Sequence, residues 1–518
     1  VTPSNLAAGA RDGRMVHRSA RLGHLPFAAV IVVVAVPNLL FLATHLASPL
    51  LAIGCIGCVL ASLVFLLRDL ARIAEPLDGQ LLIIALIAGF ALCCLGGQAH
   101  LFFANDDWLI RDAVLHDLVA QPWPVGYRYD GDATVLRAPL GLYLVPAAIG
   151  KILGLAAGHA ALLGQNGILF GCLFYGFGRA FPPRRRSLWV LVVFVLFGGW
   201  DVVGTWLLGK PLDLGRHIEN WMPSLQFSSH VTQIFWVPNH AASGWAFVAA
   251  YLLWHRGRLS AASLICVFGL CAFWSPLSMI GALPFLARAT LADLAGGRFG
   301  LRDLAHLGFT GLGLLPIALY LVADGGRVAH GLAAIDANFL IGYGVFIALE
   351  LGPALLILRL ARPDAAAEGS DVLGKDMPLI VGLLLLVPFY RIGMNDFVMR
   401  ASIPALALLA LRFGQVTAKA APFWRVAATV AVIAVGAGAP LQEIVRALRT
   451  PTFSISTCNL LTAGSVPPND GPLFHYLARL DVIQNAAAGR VLATPQHLLA
   501  PEKRGLCWPD RIDPNSAP

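Results

Sequence analysis

From about residue 26 to residue 439 the chain alternates long apolar runs with short polar turns, and no other feature limits its possible folds so strictly. An apolar helix needs about 20 residues to cross the hydrocarbon core of a bilayer. Runs of that kind, some of them shorter, lie at 26–46, 48–67, 80–103, 161–180, 187–208, 241–254, 259–274, 277–290, 305–323, 339–361, 377–389, 400–413 and 423–439. They predict an all-α polytopic membrane protein, a helical bundle of about 13 transmembrane helices. Of 518 residues, 58% are hydrophobic and 13% charged, against roughly a quarter charged in a soluble protein. The formal charge of +8 does not point to nucleic acid, because the basic residues form no stripe. They fall in short groups between apolar runs, as cytoplasmic loops facing anionic lipid do. The first run follows Arg11, Arg14, Arg18 and Arg21 without an obvious small-residue cleavage site, which reads as a retained helix rather than a signal peptide.

Charge also decides sidedness. A further apolar run, 139–155, is ambiguous; if it crossed the bilayer, Arg184, Arg185 and Arg186 would fall outside. Laid on the outer surface, it leaves Arg68/Arg72, Arg184–Arg186, Arg256/Arg258, Arg298/Arg302, Arg359/Arg362 and Arg412/Lys419/Arg425 all on the cytoplasmic side. The expected topology is therefore multi-pass in a cell (inner, cytoplasmic) membrane, N-terminus inside and C-terminus in the periplasm or its equivalent. Residues 1–440 form the transmembrane domain, and 441–518 a small outer tail or cap. In that tail Cys458 and Cys507 could form a disulfide. The other seven cysteines (Cys55, Cys58, Cys93, Cys94, Cys172, Cys266, Cys271) lie in apolar runs and read as small core residues; Cys55 and Cys58 have CxxC spacing without a polar partner nearby. No repeat of fixed period is evident, and the biased segments are an Ala-rich loop near 363–370 and the Pro-rich end of the tail.

This topology collects the polar chemistry on the outer face. The loop 104–138 opens with Asn105, Asp106 and Asp107 at the end of the third run, continues as a helix-like stretch to about residue 120, and turns at Pro122-Trp123-Pro124. Asn105 or Asp106 can be read as a helix N-cap. The acid pair can equally be read as a general base or metal ligand, where the low dielectric near the bilayer strengthens its electrostatics. In the loop 209–240, Arg216, His217, Glu219, His230, Gln233, Asn239 and His240 mix with Trp221, Phe235 and Trp236, a composition suited to stacking on sugar rings and bonding their hydroxyls. An interfacial aromatic belt accounts for the tryptophans as well. His230 and His240 are too loosely spaced for a metal site. In 390–404, Asp396 and Arg400 are four apart and could simply pair on one helix face. Alternatively Arg400 and Arg391, with Arg137 beside the surface run, offer fixed donors to a phosphate. The tail, with HYLARL at 475–480, could cap a cavity.

The segment from 104 to 186 resembles the first outer loop of the GT-C superfamily of polyprenyl-phosphate-sugar-dependent glycosyltransferases, as in lipid A aminoarabinose transferases and protein O-mannosyltransferases. That loop carries an acid pair after a transmembrane helix, an amphipathic helix, a Trp-containing turn, a Pro-Pro-Leu-Tyr-type surface helix and an Arg-rich cytoplasmic turn. Here stand Asp106-Asp107, then 108–120, Trp123, Ala138-Pro139-Leu140 with Tyr143, and GRAFPPRRR. The chain departs from the pattern in three ways: two runs precede the usual first helix, the pair is Asp-Asp rather than Asp-Glu, and Pro-Pro has become Ala138-Pro139. The resemblance implies a GT-C-like bundle with a periplasmic pair of amphipathic and surface helices in an outer loop of about 104–160. It also implies inverting transfer of a sugar from a polyprenyl-phosphate donor to a hydroxyl of a glycan, lipid or protein acceptor. Asp106 or Asp107 would be the base, and Arg137, Tyr143, Arg216, His217, His230, Gln233, Asn239, His240, Asp396 and Arg400 the binding candidates. No cofactor is required, and a divalent metal is compatible with it. A lipid-linked glycan transporter or flippase would instead need polar groups at membrane depth or paired broken helices; Glu350 is the main acid within the runs. An O-antigen ligase or polymerase would use outer-loop arginine and histidine, which 209–240 could supply.

Overall fold

The computed structural model describes residues 22–73, 75–213, 215–361, 373–393, 395–466, 471–502 and 507–508. Arg11, Arg14, Arg18, Arg21, Arg362, the Ala-rich loop at 363–370 and the Pro-rich end of the tail lie outside the described residues.

Each apolar run folds as helix, as expected where a backbone in lipid must satisfy its own polar groups. Length and composition separate them. Six are long and apolar enough to cross a membrane: Leu25–Thr44, Pro49–Ala71, Leu155–Arg179, Arg184–Leu207, Pro276–Ala295 and Leu301–Arg327. Two bent pairs, Ala337–Glu350 with Gly352–Leu360 (48°) and Phe423–Gly436 with Gly438–Arg449 (43°), raise the number to eight if each is one span. The remaining runs are shorter or less apolar helices, among them Gly79–Leu95, Pro238–His255, Ala261–Ala272, Met377–Leu386 and Ile403–Thr417. Ile53, Ile87, Leu312 and Ile341 point outward, each about two-thirds exposed. Large apolar side chains exposed along long helices suit lipid rather than water. The fold is that of a helical membrane protein with six to eight such helices. Close approach rests on glycine: a Cβ on Gly89 would lie 2.5 Å from the Gly171 nitrogen, so Gly79–Leu95 and Leu155–Arg179 meet backbone to backbone.

The run 139–155 yields the helix Leu144–Leu153, ten residues long. At 1.5 Å per residue it reaches about half the hydrocarbon thickness. It turns at Gly154 (φ 95°) and doubles back along Leu155–Arg179. Basic turns gather at the Asp78 end of Gly79–Leu95: Arg184 pairs with Asp78 (2.9 Å), Arg179 and Arg258 with Glu75 (3.4 and 3.3 Å), and Arg302 with Asp69 (2.7 Å). Asp106 and Asp107 follow the other end of that helix.

Expectation and structure differ over strands. The chain is not wholly α. A hairpin of β1 (Gly126–Tyr129) and β2 (Asp132–Leu136) turns at Asp130-Gly131, both at positive φ, the backbone a two-residue hairpin requires. A two-stranded ladder joins β3 (His330–Leu332) to β4 (Tyr390–Ile392). The tail supplies β5 (Leu477–Arg479) beside β2 and β6 (Leu498–Leu499) beside β1, giving the order β5-β2-β1-β6. The boundary expected at 440/441 falls within the helix Gly438–Arg449. Beyond it the tail is closed by a Cys458–Cys507 disulfide. It is also tied to the outer loop, with Leu460 N–H donating to Asp117 Oδ2 (2.9 Å) and Arg137 N–H to the Tyr476 carbonyl (2.7 Å).

Candidate functional site

The helix Asp107–Ala120 begins where the chain leaves the bundle. Asn105 Oδ1 accepts the Asp107 N–H (3.1 Å), while Asn105 Nδ2 donates to the Phe235 carbonyl (2.9 Å). Trp108 Nε1 donates to the Gly96 carbonyl (2.9 Å). Deeper in the helix, Asp112 meets His100 (2.8 Å), and Asp117 accepts the Tyr127 hydroxyl (2.8 Å). One face is thus pinned into protein, and the first turn presents both acids to a cleft. Of the two capping alternatives, the role falls to Asn105; Asp106 makes no side-chain capping bond.

The cleft has a volume of about 1090 Å³. Asp106, Asp107, Arg216, His217, Asp396 and Arg400 line it together, although they come from three separate segments of sequence. Phe103, Trp221, Met222, Trp236 and Met399 supply apolar wall. Trp221 is buried and donates to Glu350 (3.0 Å), so it belongs to the protein interior rather than to a lipid-facing belt.

Asp107 lies deep but open, its side chain 36% exposed to the cleft. That depth raises its pKa above the usual carboxylate range, with Asp396 acting in the same sense; Arg111 and Arg400 oppose the rise. Arg111, one helical turn along, holds Asp107 at 3.3 Å and donates to Asn239 Oδ1 (3.1 Å) and to the Trp236 carbonyl (2.6 Å). Tyr143 lies within electrostatic reach of it. Asn239 in turn donates to the Trp274 carbonyl (3.0 Å), and His240 bonds Ser275 (2.5 Å). Asn239, His240 and Tyr143 therefore stand behind the cleft wall, orienting Arg111 or its surroundings. Asp396 and Arg400 share the helix Asp396–Ala401 and pair with each other, as their spacing allowed, and Arg400 Nε has no hydrogen-bond partner.

The opposite wall is anchored by His217. Its Nδ1 meets Glu443 (2.7 Å) and its ring leans on Trp236. Burial lowers its pKa, but Glu443 and Glu219 outweigh that, so the net shift is upward. Glu443 also accepts Arg446 (2.8 Å) and Trp236 Nε1 (3.1 Å), and Arg446 lies 5.0 Å over the Trp236 ring. Glu219 is buried and accepts Ser229 N–H (3.0 Å) and Thr232 Oγ1–H (2.7 Å), which fixes the start of the helix His230–Trp236. At the mouth, Lys210 donates to the Trp221 carbonyl (2.8 Å), and exposed Arg216 meets Asp213 only at 3.7 Å.

Three expected site residues stand elsewhere. His230 bonds the Phe194 carbonyl (2.7 Å) and stacks on the Phe194 ring at 3.9 Å. Gln233 donates to the Ser228 carbonyl (2.7 Å) and accepts from Trp245 (3.1 Å). Arg137 donates to the Phe474 carbonyl (2.9 Å) and secures the tail. None of them lines the cleft; each is held by the protein around it, although Arg137 Nε and His230 Nε2 have no hydrogen-bond partner. Arg111, Lys210, Glu443 and Arg446 are not among the residues the sequence pointed to, and His475 and Tyr476 belong to a segment expected there only as a cap. The spacing of Asp107 and Arg111 was a signal. Tyr476 lies within electrostatic reach of Asp107, Arg111, Tyr143 and Arg400, and His475 within reach of Asp396 and Arg400. Among the described residues no group of three or more His, Cys, Asp or Glu is placed to hold a metal ion. In comparison with known proteins, no family model, no curated protein and no solved structure matches the chain.

Proposed function

We propose that the chain is an integral membrane glycosyltransferase that moves a sugar from a polyprenyl-phosphate donor to an acceptor hydroxyl, with inversion, at the outer face of a cell membrane. The observation that carries this reading is the Asp107 carboxylate, set deep in a large cleft with its pKa raised and with Arg400 on the same cleft. A carboxylate raised toward neutrality is a stronger base at working pH. The acceptor hydroxyl gives its proton to Asp107 or Asp106, and its oxygen bonds to the anomeric carbon. The carbon–oxygen bond to phosphate breaks, and the phosphate departs with the electron pair. Arg400, Arg216, Lys210 and Arg446 are the cations placed on the cleft to offset that charge. Aromatic and polar wall groups suit a sugar. In the same reading all thirteen runs cross the bilayer, the basic turns face the cytoplasm, and the tail with its disulfide lies outside. The test is release of polyprenyl phosphate from polyprenyl-phosphate sugars in proteoliposomes by wild type and by Asp106→Asn/Asp107→Asn. Transfer by the folded double variant at the wild-type rate would sink the assignment.

A lipid-linked glycan transporter is the second reading, and one feature favours it. Asp201 and Glu350 are both buried and lie within electrostatic reach of each other, and both Asp201 carboxylate oxygens and Glu350 Oε2 lack a hydrogen-bond partner among the described residues, an acidic pair suited to sharing a proton. Proton-dependent flipping of a lipid-linked sugar that is lost in Glu350→Gln, without polyprenyl phosphate release, would select this reading.

A further inference from the structure

At the basic end of the bundle, away from the cleft, a cavity of about 570 Å³ opens beside the helices Arg184–Leu196, Gly352–Leu360, Ile403–Thr417 and Phe423–Gly436. Arg185, Arg186, Lys419 and Arg425 line it, and among the described residues its lining includes no acidic side chain. Arg425 donates to the Leu360 carbonyl (3.3 Å). Arg185, Arg186 and Lys419 are exposed and have no ion pair among the described residues.

Two helix N-termini open here, behind Pro183 and Pro422. The positive end of a helix dipole favours acidic first turns. These first turns hold no acid; besides Arg184, which is paired with Asp78, they carry Arg185, Arg186 and Arg425. Like charge on like dipole is unfavourable unless an anion is held between them. Below the cations the lining turns apolar, with Trp189, Ile357, Val416, Val426 and Val430. Trp189 is fixed by its bond to Thr417 (3.0 Å). The apolar strip runs on along the uncovered face of the same helix, where Val426 is 47% and Val430 53% exposed, and Phe423 (87%) and Trp424 (55%) flank the cations at its start. A soluble anion would use the cations and leave that strip bare; a lipid uses both.

We propose that this cavity binds the phosphate-bearing headgroup of an anionic phospholipid, whose acyl chains run along the outward face of Phe423–Gly436. No residue of the cleft takes part, so the assignment stands or falls apart from the transferase reading. The test uses the purified full chain in nanodiscs of phosphatidylcholine with increasing phosphatidylglycerol, reading bound lipid by native mass spectrometry. Each interfacial cation strengthens such binding by about fivefold, so Arg185→Gln/Arg186→Gln/Lys419→Gln should weaken it by about a hundredfold. All three side chains are exposed, so the fold tolerates their loss. On wild type, binding should weaken with added salt. Equal occupancy by phosphatidylcholine, wild-type occupancy in the triple variant, or insensitivity to salt would each overturn the site. Displacement of the lipid by millimolar glycerol phosphate would overturn the lipid assignment.

Discussion

Gly281→Ala tests whether the position of Arg400 matters to the chemistry. A Cβ on Gly281 would lie 1.9 Å from the Ala401 carbonyl oxygen, whereas real Cβ atoms stay at least 3.0 Å from any neighbour. The helices Pro276–Ala295 and Asp396–Ala401 must therefore part by the difference, 1.1 Å, and the obstacle is backbone that cannot rotate away. Overpacking of this kind costs about 1–3 kcal/mol of stability. The moving helix carries Asp396 and Arg400, and a displacement of about 1 Å in a positioned catalytic group lowers turnover by about a hundredfold. The assay is polyprenyl phosphate release at saturating donor, with the unfolding midpoint measured on the same preparation. Gly308→Ala is the control, because its added Cβ meets nothing within 4 Å. A milder arm is Ser278→Ala, which removes hydrogen bonds to the carbonyls of Arg400 (3.2 Å) and His240 (3.1 Å) while leaving the backbone in place; it should lose about 1 kcal/mol of stability and a smaller part of turnover. Wild-type turnover in a folded Gly281→Ala protein, or an equal loss in Gly308→Ala, would refute the reasoning.

Other outcomes follow from the same geometry. Arg111→Met removes a cation that opposes the raised pKa of Asp107, so the acid limb of the kcat/KM profile should move to higher pH, whereas Asp396→Asn should move it lower; limbs moving in the same direction would show that Asp107 is not the titrating base. His217 has a raised pKa, so the stability it contributes is complete below the ordinary histidine value of about 6.5 and is lost as pH rises through the raised value. His217→Gln should remove that dependence, measured as the unfolding midpoint between pH 5 and 9, and a retained slope would assign it to another group. The disulfide closes a separation of 49 residues, worth about 4 kcal/mol in the chain-entropy account. Reduction or Cys458→Ser/Cys507→Ser should therefore open residues 450–508 to limited proteolysis while the helices resist, and unchanged digestion would show that the strand pairings alone hold the tail.

Hydropathy located the helices because lipid demands internally bonded backbone, and that demand is written in every window of 20 residues. It did not fix how many cross, since Ala261–Ala272 is a helix of only twelve residues, eight of them buried in protein. Local chemistry was partly legible. Asp106 and Asp107 stood out as adjacent acids beside an apolar run, and Asp396 with Arg400 as a spaced pair. The same four-residue rule applies to Asp107 and Arg111, and Asp130-Gly131 is a hairpin dipeptide; both signals are local ones that the sequence contains. Other contacts carry no local signal at all. Glu443 meets His217 across 226 residues, and Arg137 holds the Phe474 carbonyl across 337. The same blindness made His230 and Gln233 attractive, since a polar side chain in a loop shows in sequence only that it needs partners and not that Phe194 and Ser228 already provide them. The tail gains most from being seen in three dimensions. Read alone, 441–518 is a mixed-polarity appendage; folded, β5 extends the hairpin of the outer loop, and that register delivers His475 and Tyr476 to the side of the cleft where Asp107, Arg111 and Arg400 interact. A cap whose strand pairing and site residues lie within five positions of each other cannot shift without moving both. The electrostatics of Asp107 are set by its depth, by Arg111 of its own helix and by Asp396 and Arg400 of a distant segment, and the tail places Tyr476 within reach of the same groups.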